Sequence, residues 1–123
     1  MKFSLILWGL AHKLKSRIKK DQAFKEHIKE KNFTLQMKTA DGKKGRAFKF
    51  INGDIISESG VVADANVSFV WCDAATAAAT MLSKDPNANM NALKEGKLKL
   101  EGDGALALWF VGTAKKLKEP IQK

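Results

Sequence analysis
Asp54, Glu58, Asp64, Asp73, Glu95, Glu101 and Asp103 are candidate carboxylates for a catalytic acid or base, with Cys72 and Ser83 as candidate nucleophiles and His12 and His27 as proton carriers. Acid–base catalysis needs such a group within hydrogen-bond reach of the reacting proton, and nucleophilic catalysis needs a base beside the nucleophile. No Ser/His/Asp spacing, zinc-hydrolase helix, dinucleotide fingerprint or phosphate loop brings these residues together. One cysteine rules out an intramolecular disulfide, and with two distant histidines it makes a poor zinc site. Cys72-Asp73 reads as a strand end followed by a helix cap, and His27 as a boundary residue of an amphipathic helix. The expectation is a non-catalytic protein with no cofactor. The chemistry left is that of apolar side chains, which make up 45% of the chain and can withdraw a greasy guest from water.

The elements that would hold such a guest are legible around residues 96–112. Leu98 and Leu100 alternate with Lys97, Lys99 and Glu101, as in a strand with one dry face. Gly102 allows a bend, Asp103 can cap a helix, and Ala105-Leu106-Ala107-Leu108-Trp109-Phe110-Val111 follows as a nearly uniform apolar run. Upstream, 33–38 alternates cleanly, Asp41-Gly42 favours a reversal, and 46–51 returns with Phe48 and Phe50 on one face and Lys49 on the other. Residues 55–59 read as a strand of poor periodicity, at an edge or a bulge, and Val67–Trp71 as a better one. Asp73 caps a helix over Ala74–Leu82, whose alanines allow close approach and leave Met81 and Leu82 as the bulky anchors. Asp85-Pro86 repeats the start signal with proline at the first helical position, and Met90 and Leu93 follow. Two short helices rich in small residues and methionine suit a flexible wall.

The N-terminus carries most of the charge asymmetry. Of the formal +9, residues 1–20 hold +6 from Lys2, Lys13, Lys15, Arg17, Lys19 and Lys20, whereas residues 50–93 sum to −4. Residues 3–11 look like the core of a signal peptide, yet no small-x-small site follows, and His12-Lys13 ends the run far short of the roughly 20 residues that span a bilayer. As a helix, 1–20 places Phe3, Leu7, Leu10, Leu14 and Ile18 on one face. It is a basic amphipathic helix that either packs on its own domain or lands on an anionic membrane through Trp8, Lys13, Lys15, Arg17, Lys19 and Lys20. Asp21 caps a second helix, 22–31. A cytoplasmic location, with peripheral membrane attachment, fits these features.

This order of elements, and above all Gly96-Lys97-Leu98-Lys99-Leu100-Glu101-Gly102-Asp103 before an apolar last helix, resembles the sterol carrier protein type 2 domain family, most strongly over 48–117. The resemblance implies one α+β domain spanning 1–123, with a five-stranded mixed, mostly antiparallel sheet covered by helices and an apolar tunnel between the layers. It implies a hydrophobic partner, a fatty acid, acyl-CoA, sterol or isoprenoid, bound and transferred without catalysis. The positions carried over as the tunnel wall are Phe48, Phe50, Phe69, Trp71, Met81, Leu82, Met90, Leu93, Leu106, Trp109, Phe110 and Thr113.

Two other functions fit parts of the sequence. One is an adaptor that docks to a membrane or a protein through the N-terminal helix. The other is nucleic-acid binding, with Phe48 and Phe50 beside Lys43, Lys44, Arg46, Lys49, Lys97 and Lys99. Alternation sets Phe48 and Phe50 on the face opposite Lys49, which is wrong for bases stacking above lysines, so this is the weaker alternative.

Overall fold
The computed structural model describes residues 2–85 and 87–117. Along them run α1 (Lys2–Lys20), α2 (Gln22–Lys29), β1 (Phe33–Thr39), β2 (Gly45–Ile51), β3 (Asp54–Ser59), β4 (Val67–Trp71), α3 (Ala74–Leu82), α4 (Ala88–Lys94), β5 (Leu98–Gly102) and α5 (Gly104–Lys116). The strands form one sheet in the order β3-β2-β1-β4-β5. Only β1 and β4 run parallel; the other three pairings are antiparallel, so the sheet is mixed and mostly antiparallel as expected. The Asp41-Gly42 hairpin forms, with Gly42 at φ 73° and Asp41 Oδ1 accepting from the Lys43 N–H and the Thr39 hydroxyl. Ile55 is buried and Ile56 exposed in the edge strand β3, whose unbroken register needs no bulge.

Register sorts the side chains onto two faces. Phe33, Leu35 and Met37 stand opposite Phe50, Phe48 and Arg46, and Met37 and Thr39 stand opposite Phe69 and Trp71. This face is covered by the helices, and Phe48 and Phe50 are fully buried on it. Lys38, Lys49 and Lys99 occupy the other face. There Gln36 holds the segment after β3 by donating to the Val62 carbonyl and the Ser68 hydroxyl and accepting from the Val62 N–H. Lys49 thus lies across the sheet from the rings of Phe48 and Phe50, as the alternation predicts.

Three aspartates start three helices. Asp21 accepts from the Phe24 N–H, Asp73 from Thr76 N–H, and Asp103 from the N–H groups of Ala105 and Leu106. Pro86 lies outside the described residues. The helix after it starts at Ala88, two residues later than the Asp-Pro signal suggests, and Asp85 instead accepts from the Asn87 N–H. In α3 one of the two expected anchors does not anchor: Leu82 is 58% exposed, whereas Met81 is partly buried and packs against the core, and Ala77 and Ala78 are buried. The small residues are themselves the packing surface, because they let the helix axis sit close to its neighbours. No helix among the described residues is long and apolar enough to cross a membrane.

Candidate functional site
The face of the sheet under the helices gathers an aromatic layer. Phe110 of α5 lies edge-on to Phe50 and Phe69, with centroids 6.1 and 5.8 Å apart, and Trp109 lies edge-on to Phe33 and Phe50 at 5.5 and 5.6 Å. Such pairs add about 0.5–1.5 kcal/mol beyond the area they bury. Of the positions expected to form a wall, Phe48, Phe50, Phe69, Trp71, Phe110 and Thr113 are buried in this layer, and Leu106, Trp109, Met81 and Leu93 border it. Leu82 and Met90 stand at the surface, 58% and 52% exposed.

A groove of about 330 Å³ opens between the start of α1 and α3, lined by Phe3, Lys44, Ala74, Ala75, Ala78, Ala79 and Leu82. Of the expected wall, Leu82 alone lines it. The other six were missed, although the alanine run carried the signal: a helix face without bulk leaves space beside it. Lys44 supplies the one charged side chain of the lining. Phe3 and Ala78 are buried core residues, so the groove floor is the edge of the interior. A broader depression of about 600 Å³ on α2, bordered by Ala23, Glu26, His27, Lys29 and Glu30, has walls from one helix only and encloses nothing.

His27 belongs to the join between α2 and α5. Its Nε2 lies 2.7 Å from the Thr113 hydroxyl, and its ring stacks on Trp109 at 4.9 Å and 12°. Thr113 gives its only proton to the Trp109 carbonyl, so the His27 Nε2–H donates and Thr113 accepts. Sequence could not pair residues 86 apart. Burial, reinforced by the Lys116 ammonium and opposed by Glu30, holds the imidazole below its ordinary 6.5. Folding therefore favours neutral His27. Its contribution to stability is complete above pH 6.5 and is lost as pH falls from there through the folded-state value. Urea midpoints measured from about pH 7.5 down to about pH 5 will fall further for the wild type than for His27→Gln, which has no proton to gain. Equal slopes would remove His27 from the account.

The outer face of α1 is the second functional candidate. Phe3, Leu7, Ala11, Leu14 and Ile18 are buried against the domain, so the apolar stripe read from the sequence is spent on the core. Leu5 and Trp8, three residues apart on the far side, are 65% and 50% exposed, and the Trp8 ring lies 4.1 Å from His12. Lys13, Lys15, Lys19 and Lys20 are exposed. Arg17 is different: it is 11% exposed, its Nε is 2.9 Å from Asp21 Oδ2, and its guanidinium carbon lies 5.9 Å from the Phe24 ring centroid. Among the described residues no three His, Cys, Asp or Glu side chains converge on a point that could hold a metal.

No family model matches the chain, and no curated protein matches it. Solved structures do. The chain is similar to a UbiJ-SCP2 ubiquinone synthesis protein at 16% identity and TM-score 0.69, covering 94% of each chain. Apo sterol carrier protein 2 from Yarrowia lipolytica matches at 16% identity and TM-score 0.64, over 97% of this chain and 94% of that one. The inverting sec-alkylsulfatase Pisa1 from Pseudomonas sp. matches at 24% identity and TM-score 0.50, over 70% of this chain but 13% of the enzyme.

Proposed function
From a chain with the sterol carrier protein 2 fold, we propose a single-domain, non-catalytic carrier that binds a hydrophobic ligand and transfers it. The observation that carries this reading is the groove, whose lining is apolar except for Lys44 and whose floor belongs to the core. The ligand's chain lies in the groove against Phe3, Ala78 and Leu82, and reaches the rest of the expected wall, Phe48, Phe50, Phe69, Trp71, Met81, Leu93, Leu106, Trp109, Phe110 and Thr113, only as that packed layer parts to admit it. Affinity then comes from removing methylenes from water, about 0.8 kcal/mol each, which makes chain length the main determinant. Fatty acids, acyl-CoA, sterols and isoprenoids are the classes to compare, and the name of the ubiquinone synthesis protein adds quinones.

Delivery uses the far side of α1. Turning its core face to a membrane would uncover Phe3, Leu7, Leu14 and Ile18, at about 1.5–3 kcal/mol each, a total on the order of the whole stability of a domain. Leu5 and Trp8 are already outside, with lysines beside them for anionic headgroups. The domain docks peripherally without unfolding. Arg17 supports the helix corner rather than the surface.

One preparation tests both parts. Native mass spectrometry of the purified protein, followed by extraction, should show an adduct of a few hundred daltons that Ala79→Trp, an exposed lining position, abolishes without lowering the unfolding midpoint. A clean protein that then takes up neither acyl chains, sterols nor quinones sinks the carrier reading. Flotation with anionic vesicles should be lost in Leu5→Ser/Trp8→Ser while affinity for soluble ligand is kept. Unchanged flotation would remove α1 from the delivery step. Deleting the helix tests neither, since its inner face is core.

A further inference from the structure
Two buried donors in the interior lack acceptors. The indole N–H groups of Trp71 and Trp109 are shut off from solvent, and among the described residues no acceptor lies within hydrogen-bond reach of either. An unmet buried donor costs about 1–3 kcal/mol, and native interiors hold few of them. The two differ in setting. Trp109 is half-buried, and its ring is engaged by His27, Phe33 and Phe50. Trp71 is 2% exposed and ends β4, with Thr39 opposite it on one side and Leu98 on the other. The groove lies near this end of the sheet in sequence and hydrogen bonding, with Trp71 behind its lining rather than in it, so a ligand reaches the indole only by displacing lining side chains. The Thr39 N–H bonds the Lys44 carbonyl, the Ala40 N–H bonds the Trp71 carbonyl, and Ala74, three residues beyond Trp71, forms part of the groove wall.

We propose that the ligand of this site carries a neutral hydrogen-bond acceptor at one end, a ketone or ester carbonyl, which accepts from the Trp71 indole N–H. The inference rests on the hydrophobic-carrier reading and names the polar group of its ligand. An indole donates and cannot accept. A hydroxyl therefore brings a proton of its own into an apolar layer that has no acceptor to spare for it, and a pure hydrocarbon leaves the indole unmet. A carboxylate would accept, yet its charge must be dehydrated to reach Trp71. A carbonyl satisfies the donor and adds no demand.

The test is competition against a fluorescent acyl probe, with a methyl ketone, a primary alcohol, an alkane and a fatty acid of equal chain length. The wild type should bind the ketone about tenfold more tightly than the alkane, the effect of one well-placed hydrogen bond in a dry site. Trp71→Phe keeps a ring and loses the donor; whatever the smaller ring does to the affinity for both compounds, it should bring their ratio to within about twofold. Equal weakening of ketone and alkane would make Trp71 a packing residue and overturn the proposal, as would a ketone preference that survives the substitution. Should the variant not fold, the wild type still decides: the Trp71 indole N–H resonance must move downfield on adding the ketone and not on adding the alkane, and no such difference overturns the proposal. If neither probe nor competitor binds, the hydrophobic-carrier reading itself falls.

Discussion
Gly102→Ala should lower the stability of the domain by about 3 kcal/mol, far more than alanine at another left-handed glycine. Gly102 has φ 92°, a region that costs an L side chain about 1–2 kcal/mol by itself. An added Cβ there would also strike the carbonyl oxygen of Asn66. That carbonyl has little freedom to yield. It accepts from the Asp103 N–H at 3.0 Å, while the Asn66 N–H donates to the Thr34 carbonyl at 2.8 Å and its side chain accepts from the Thr34 N–H at 2.8 Å. One methyl group would therefore press on the β1–β4 join and the cap of α5 together. Gly96 is the comparison: its φ is 75°, but nothing lies within 4 Å of an added Cβ, so Gly96→Ala should cost only about 1 kcal/mol. Urea midpoints of the two variants check the claim, and similar losses would show that the close approach to Asn66 is harmless.

Asp21→Ala should cost still more, about 4 kcal/mol, because one carboxylate performs two tasks at the corner between α1 and α2. Its Oδ1 caps α2 at the Phe24 N–H and its Oδ2 meets the Arg17 Nε at 2.9 Å, with the two side chains 3% and 11% exposed. Removing one member of a buried pair leaves the other charge poorly compensated, whereas replacing both by apolar groups is much less damaging. Asp21→Asn keeps a capping oxygen and should recover about 1 kcal/mol of the loss. Arg17→Met combined with Asp21→Asn should recover more. If Asp21→Asn is as stable as the wild type, the cap matters and the ion pair does not.

Local chemistry made much of this fold readable. The strands announced themselves by alternation in 33–38 and 46–51, and the helix starts by Asp21, Asp73 and Asp103, because each depends on neighbours a few residues away. The site was only partly readable. Aromatic residues on one face of a strand pointed to the interior, and Phe48, Phe50, Phe69 and Trp71 are there. The groove was not foreseen, since it arises from where α3 sits relative to Phe3 and Lys44. Leu82 was misjudged as an anchor for a related reason: bulk predicts burial only when the neighbouring helix stays far enough away to need filling. The orientation of α1 was legible as amphipathic, but the exposure of Leu5 and Trp8 became visible only once the opposite face had found its partners.

The parallel pairing of β1 with β4 also orders events during synthesis. β1, β2 and β3 are linked by short turns and can zip together as soon as they leave the ribosome. The second partner of β1 starts at Val67, which aligns with Leu35, 32 residues earlier. Until it arrives, the strand that ends as the middle of the sheet is an open edge carrying Leu35 and Met37 beside unpaired backbone groups. An unguarded apolar edge is a template for pairing with another chain. The nascent protein is thus most prone to aggregate between the emergence of β1–β3 from the ribosome and the emergence of Val67–Trp71, and a translational pause in that interval would lengthen the exposure.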